Sequence, residues 1–157
     1  MNNDQFRMFA PSGSLFIEES TTLCGTADEV WPEIGRFCSQ DWHPGILRSE
    51  IFEGLDGQIG ALRDLKTRDG MHCIEELLWQ NDDLHTQVYR AIDTPLPVRD
   101  YVAEMEVSDE DGHCRFTWRS RFDPDETATD SEALNAVAQI FQAGIHALHQ
   151  RFDAPPS

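Results

Sequence analysis

Residues 129–152 read TDSEALNAVAQIFQAGIHALHQRF, and this stretch decides the fold. Its apolar residues recur every three or four positions, which predicts a helix with one apolar face. They are Leu134, Val137, Phe141, Ile145, Leu148 and Phe152. Thr129 and Glu132 fit the S/T-x-x-E capping box, and Pro155 and Pro156 prevent continuation of the helix. Roughly 22 residues give a rod of about 33 Å, which needs a broad apolar surface to pack against.

The rest of the chain is predicted to supply that surface as β-strands. A first strand over residues 14–24 is followed by a short helix ending near Phe37, and then by a turn or second short helix over 39–45. Turn signals such as Asp69-Gly70 separate the later strands, which is typical of an antiparallel meander. Six such strands are predicted over 47–53, 61–67, 71–80, 85–92, 101–107 and 113–122.

This order of elements predicts an α+β fold. A seven-stranded antiparallel sheet should curl around the long C-terminal helix, with two short helices after the first strand. The space enclosed between sheet and helix is a natural ligand cavity. We expect one domain over residues 1–157, with residues 1–13 as a loose N-terminal tail.

The amino-acid composition restricts the kinds of molecule that the protein is expected to bind. The 157 residues include 12 basic and 29 acidic side chains, and the resulting net charge of −17 argues against binding nucleic acid or an anionic membrane. No apolar run approaches the length of a membrane span, and no export signal is recognisable. Four scattered cysteines without a C-x-x-C pair predict reduced thiols in a cytoplasmic protein. No metal or cofactor motif is found, and the sequence predicts no oligomeric state.

Alternation along the strands predicts which side chains face inward. In the last strand, one face is largely apolar and the other carries three arginines, so the first should face the helix. Its members are Cys114, Phe116, Trp118, Ser120 and Phe122. By the same logic Tyr101, Ala103 and Met105 face inward, Glu104 and Glu106 face outward, and Tyr89 follows the inward set. These rings either line a cavity for a flat apolar ligand or simply fill a core.

Arg63 and Glu75 are the charged pair that most directly suggests a polar site inside the fold. Arg63 is in phase with Ala61 and Leu65 on one strand of the Asp69-Gly70 hairpin, and Glu75 is in phase with small and apolar residues on the other. If both face inward, they should pair with each other or hold a polar group of the ligand, because a buried unpaired charge is costly. The alternative is a one-residue shift in register that makes them an ordinary salt bridge on the solvent side.

Two further residues admit two interpretations each. His43 lies between Trp42 and Pro44 at the expected mouth of the cavity, where it either transfers protons or is a satisfied surface residue. Gly144 interrupts the long helix, either to allow a bend or close ligand approach, or to allow close packing on the sheet. His146 and His149 lack further ligands for a metal.

Several short segments, in this order, resemble those of the START-like (Bet v 1-like, SRPBCC) superfamily, and in particular its polyketide cyclase/dehydrase-like group. They are Val30-Trp31, Trp42-His43-Pro44, Gly60-Ala61-Leu62-Arg63, Ile74-Glu75-Glu76-Leu77, Tyr89, Leu96-Pro97-Val98-Arg99-Asp100-Tyr101, Thr117-Trp118 and Phe141-Gln142-Ala143-Gly144-Ile145, with Leu148 and Phe152. The resemblance spans about residues 14 to 153. It implies a helix-grip fold with a pocket between the sheet and the last helix.

The resemblance and the strand alternation together predict a site for a small hydrophobic or aromatic molecule. Its expected ligand-binding residues are Trp42, Arg63, Glu75, Tyr89, Tyr101, Trp118, Phe141, Ile145 and Leu148. An enzyme of the polyketide cyclase/dehydratase kind would use polar groups such as Arg63, Glu75, Tyr89 and His43 to promote enolisation or dehydration. A non-catalytic carrier or sensor would use the same pocket, and a third hypothesis is an accessory protein acting through its acidic surface.

Overall fold

The computed structural model of the protein describes residues 4–9 and 13–153. Its elements are α1 (Asp4–Phe9), β1 (Leu15–Cys24), α2 (Ala27–Ile34), β2 (Ile46–Glu53), β3 (Leu62–Thr67), β4 (His72–Asn81), β5 (Thr86–Asp93), β6 (Val98–Glu110), β7 (His113–Pro124) and α3 (Asp130–Arg151). The seven strands form one sheet in the order β1-β7-β6-β5-β4-β3-β2, and every neighbouring pair is antiparallel. The predicted α+β architecture, a curved sheet with a long C-terminal helix, is confirmed.

Helix α3 begins and ends where its sequence predicts. The Thr129 side chain accepts a hydrogen bond from the Glu132 amide, and the Glu132 carboxylate accepts one from the Thr129 amide at 2.9 Å, which completes the capping box. Phe152 is the C-cap residue. The helix packs mainly on β1 and β7, at one end of the sheet. Its buried residues are Ala133, Val137, Phe141, Gly144 and Leu148. Pro155 and Pro156 lie outside the described residues.

The predicted loose tail contains a short helix, α1. Phe6 is only 3% exposed and packs with Val88 and Val102 on the face of the sheet opposite α3. Its ring also meets the edge of Phe16, with 6.3 Å between the ring centroids. Apolar side chains on this outer face give the N-terminal segment a surface to cover, so the prediction of a loose segment is wrong for residues 4–9.

Of the two alternatives predicted for residues 39–45, a turn or a second short helix, the structure shows consecutive turns. The His43 amide donates to the Gln40 carbonyl at 3.0 Å, and the Ile46 amide donates to the His43 carbonyl at 3.1 Å. Pro44 has no amide hydrogen to continue a helix, which explains why the chain turns here. Helix α2 has its own capping box, formed by Thr26 with Glu29.

The predicted alternation of side chains is found in β6 and β7. The inward-facing set is buried in the main core, including Phe116, Trp118 and Phe122. On the outer face Glu104 and Glu106 are buried as well, because Arg119 forms ion pairs with both. Burial raises the pKa of Glu104 to about 7, while the positive charge of Arg119 opposes that rise.

Among the helices in the described part of the chain, none is both long and apolar enough to cross a membrane.

Candidate ligand-binding site

A cavity of about 610 Å³ lies on the inner side of the sheet, beyond the part that α3 covers. This volume falls within the usual range for sites that bind small organic molecules. Strands β2–β7, the 39–45 turns, the 67–71 hairpin turn and the 94–96 loop all contribute to its wall. The lining residues are Gln40, His43, Gly45, Ile46, Leu65, Thr67, Arg68, Asp69, Met71, Cys73, Glu75, Tyr89, Ala91, Thr94, Pro95, Leu96, Tyr101, Trp118 and Ile140.

A buried ion pair stands at the inner end of this cavity. Arg63 and Glu75 are directly opposite each other on β3 and β4, which places both side chains on the inner face. Arg63 is 0% exposed and Glu75 is 7% exposed. Arg63 donates from Nε at 2.9 Å and from Nη2 at 2.6 Å to the same oxygen, Oε1 of Glu75. The pair is therefore internal, as the in-phase apolar neighbours predict.

All five N–H groups of Arg63 have acceptors within the protein. Two donate to Glu75, and Nη1 donates to the Phe37 carbonyl at 3.0 Å. The amide of Gln40, oriented so that its oxygen faces the guanidinium, accepts from Nη1 at 3.0 Å and from Nη2 at 2.8 Å. Arg63 thus holds Glu75 in place but does not itself line the cavity.

The second carboxylate oxygen of Glu75 has a weaker partner. The Cys73 thiol, two residues along the same strand, donates to Oε2 at 3.7 Å. Burial raises the pKa of Cys73, and the neighbouring carboxylate raises it further, so the thiol stays protonated. Oε2 therefore retains unused capacity to accept a hydrogen bond.

Tyr89 adds a polar group to the same wall. Nε1 of Trp118 donates to the Tyr89 hydroxyl oxygen at 3.1 Å. The guanidinium carbon of Arg63 lies 4.9 Å from the centre of the Tyr89 ring and 4.0 Å from that of Phe37. Burial raises the pKa of Tyr89 far above its ordinary value, so its O–H persists as a donor. Burial also raises the pKa of Tyr101, the second tyrosine of the wall.

His43 is held between the turns and α3. Its Nε2 lies 2.8 Å from the Ile140 carbonyl oxygen, and its Nδ1 accepts from the Gly45 amide at 3.0 Å. This pattern requires the neutral tautomer with the proton on Nε2. Burial lowers the pKa of His43, although the Ile140 carbonyl opposes that change. With both nitrogens engaged, His43 is suited to positioning α3 and not to exchanging protons.

An aromatic cluster joins the cavity to the main core. Trp118 stacks on Phe141 with 4.2 Å between centroids, and Trp42 meets the edge of Trp118 at 5.5 Å. Gly144 makes this packing possible, since a β-carbon there would lie 2.8 Å from His43 Cδ2 and 2.9 Å from Trp118 Cζ3. Close packing on the sheet side, and not ligand approach, explains this glycine.

The structure brings together only part of the predicted set. His43, Glu75, Tyr89, Tyr101 and Trp118 line the cavity, and their role in ligand binding stays a prediction. Arg63 does not line the cavity but holds Glu75 in place through two hydrogen bonds. The remaining predicted residues pack in or against the core and are not among those that line this cavity, so their role in ligand binding stays a prediction without support from the cavity wall: Trp42, Phe141, Ile145 and Leu148. The cause is the position of α3, which packs mainly on β1 and β7, at one end of the sheet. Within α3, Ile140 is the residue that lines the cavity.

Sequence reasoning missed most of the cavity wall. Leu65 and Cys73 carried a usable signal, because they are in phase with Arg63 and Glu75 on the same strands. Gln40, Thr94 and Leu96 carried none, since residues in turns and loops have no alternation that reveals their direction.

The chain matches the family described as "Polyketide cyclase / dehydrase and lipid transport" over residues 16–153. Among solved structures it resembles protein XoxI from Bacillus cereus, with 32% identity, a TM-score of 0.80, and coverage of 87% of this chain and 94% of that one. An uncharacterised protein from Bacillus thuringiensis is similar, with 32% identity, a TM-score of 0.81, and coverage of 88% and 98%.

A more distant likeness extends to Ara h 8.0201. It has 16% identity and a TM-score of 0.69, with coverage of 88% of this chain and 97% of that one, so the likeness concerns the fold alone. This is the Bet v 1-like helix-grip fold that the sequence predicted. No curated protein matches the chain significantly.

Proposed function

The chain belongs to the polyketide cyclase / dehydrase and lipid transport family, and on that premise we propose that its cavity holds a small, mostly apolar organic molecule. The observation that carries this proposal is the cavity itself, about 610 Å³ in volume and built mainly from apolar and aromatic side chains. Burying the surface of an apolar molecule against such a wall supplies the binding energy. The few polar groups of the wall are left to fix its orientation.

Non-catalytic binding, by a carrier or a sensor, is the better supported form of this function. His43 is fixed as a neutral imidazole with both nitrogens engaged. Arg63 has no free donor. The carboxylate of Glu75 is tied to Arg63 through one oxygen. Groups whose hydrogen bonds are all made within the protein form a fixed wall around a ligand, whereas proton transfer requires them to change partners.

A second candidate is an enzyme of the cyclase or dehydratase kind. One observation favours it, namely that a carboxylate, Glu75, and a protonated hydroxyl, Tyr89, share one wall of the cavity. A carboxylate next to a hydroxyl donor is a suitable arrangement for enolisation, because one group removes a proton while the other stabilises the developing oxyanion. This candidate would be favoured if the protein turns over an aromatic β-diketone and the Glu75→Gln variant does not.

The test of binding is native mass spectrometry of the purified protein, followed by titration of the stripped protein with an environment-sensitive apolar dye. Ala91→Trp should abolish dye binding by filling the cavity from β5. Ile92→Trp is the matched control, because Ile92 is the next residue, is 49% exposed, and is not part of the cavity wall. Equal dye binding by both variants would place the dye elsewhere and overturn the proposal.

Partners and location remain predictions of the same kind. All four cysteines are unpaired, which is compatible with the predicted cytoplasmic location. A small hydrophobic or aromatic molecule is the proposed partner, and the strong negative charge speaks against nucleic acid.

A further inference from the structure

We propose that the ligand is a neutral molecule bearing a hydroxyl group, which binds between Glu75 and Tyr89 at the inner end of the cavity. This inference rests on the proposed function and narrows it to a class of ligand. It follows from the hydrogen-bonding capacity that the protein leaves unused on this wall.

Glu75 supplies an acceptor. Its Oε1 receives both hydrogen bonds from Arg63, whereas its Oε2 receives only a long one from the Cys73 thiol. Thiols are weak donors, so Oε2 is poorly satisfied for a carboxylate oxygen with little exposure to water. A ligand that donates a hydrogen bond to Oε2 would take the place of the water that burial excludes. Because the acceptor is a carboxylate, this would be a strong, charge-assisted hydrogen bond.

Tyr89 supplies a donor. Its hydroxyl oxygen accepts a hydrogen bond from Nε1 of Trp118, so the hydroxyl hydrogen of Tyr89 points in another direction. Among the described residues, no acceptor for this hydroxyl hydrogen is found. Leu77 pairs with Tyr89, and Glu75 pairs with Ala91, so Glu75 and Tyr89 are diagonal neighbours on the inner face. A hydroxyl is the smallest group that donates to one neighbour and accepts from the other.

An anionic ligand is disfavoured at the same place. A carboxylate would meet the Glu75 carboxylate, and all five donors of Arg63 are already used within the protein. Arg68, the cation among the lining residues, is exposed at the rim, donates to the Pro44 carbonyl, and is followed by Asp69. The net charge of −17 further opposes the approach of an anion.

Three probes of one ring system separate these possibilities: 2-naphthol, 2-methoxynaphthalene and 2-naphthoate. The methoxy compound keeps the oxygen but cannot donate, so we expect 2-naphthol to bind at least about tenfold more tightly, the lower end of what a hydrogen bond to a charged group contributes. We expect 2-naphthoate to bind most weakly. Isothermal titration calorimetry at fixed ionic strength gives the three dissociation constants.

Two variants assign the preference to this wall. Glu75→Gln should reduce the advantage of 2-naphthol over 2-methoxynaphthalene to about threefold or less. Glu76→Gln is the matched control, because Glu76 is the next residue of β4, pairs with Arg90 on the outer face, and should leave the ratio unchanged. If Glu75→Gln does not fold, Tyr89→Phe keeps the ion pair and should weaken 2-naphthol binding about threefold to tenfold.

The outcomes distinguish this inference from the proposed function. Equal affinity for 2-naphthol and 2-methoxynaphthalene, with both lost in Ala91→Trp, would overturn the hydroxyl preference and leave the binding function intact. Tightest binding of 2-naphthoate would overturn it as well and point to Arg68 at the rim. Failure of all three probes, together with failure of the apolar dye, would overturn the binding function itself.

Discussion

Replacing Glu75 with alanine is expected to destabilise the protein strongly. Arg63 would remain fully buried, would lose two of its hydrogen bonds, and would have no counter-charge in contact. Removing one partner of a buried ion pair typically costs roughly 3–5 kcal/mol. That is a large share of the roughly 5–15 kcal/mol that holds a typical domain folded.

Two further variants show whether burial is the cause. Glu76→Ala breaks the exposed pair with Arg90 on the outer face of the same strand and should cost only about 0.2–1 kcal/mol. Combining Arg63→Met with Glu75→Leu removes both charges and should recover much of the loss, because the desolvation penalty disappears with them. Ligand affinity should not recover in the double variant if Glu75 also holds the ligand.

Urea denaturation monitored by circular dichroism measures all of these changes. With an m-value of roughly 2 kcal/mol/M, a loss of about 4 kcal/mol shifts the midpoint by about 2 M. An unchanged m-value would show that the folded state keeps its compactness. A loss below about 1 kcal/mol for Glu75→Ala, or a double variant no more stable than the single one, would refute this account of the pair.

Three other predictions concern Gly144, Glu104 and the net charge of the protein. Gly144→Ala should lower the free energy of unfolding by about 1 kcal/mol or more despite its better helix propensity, because its β-carbon would crowd the rings of His43 and Trp118; greater stability in urea melts would contradict this. Glu104 should contribute stability that is lost as pH rises from about 5 to 8. The folded protein retains a proton on this carboxyl, whose pKa is raised to about 7, whereas the unfolded chain releases it above the ordinary value of 4.5. Glu104→Gln should flatten this dependence and be more stable at pH 8 by about 1–3 kcal/mol, and parallel pH curves would rule out that assignment. The protein should show no retention on duplex DNA at low salt, and salt-sensitive retention would contradict the charge argument.

The regular part of the fold was predictable because its signals are local. Capping residues and apolar spacing predicted α3 to within its cap residues, and alternation predicted the inner faces of β6 and β7. The same alternation favoured an inner-face position for Arg63 and Glu75 over a shifted register on the solvent side, since each strand carries in-phase apolar neighbours that must be buried.

The rest depended on tertiary packing that no local pattern records. Phe141 and Leu148 were expected in the cavity because they lie on the apolar face of α3, but that face rests on β1 and β7 and is filled by aromatic rings. The burial of Phe6 depends on an apolar patch formed by strands that are distant in sequence. The short polar segment around Phe6 therefore did not predict that this side chain is buried. Turn residues such as Gln40 reach the cavity only because of where neighbouring strands end.

The position of α3 at one end of the sheet has a consequence for how such a protein evolves. The interlocked packing of α3 with β1 and β7 ties the identity of many side chains to one another, and it leaves little freedom for independent substitution. The 67–71 turn and the 94–96 loop bear less of this constraint, although Leu96 packs against the core, because surface turns tolerate changes in length and composition at small energetic cost. On the proposed function, substitutions in the 67–71 turn and the 94–96 loop can therefore change which ligand is bound while the packing of α3 on β1 and β7 stays constant.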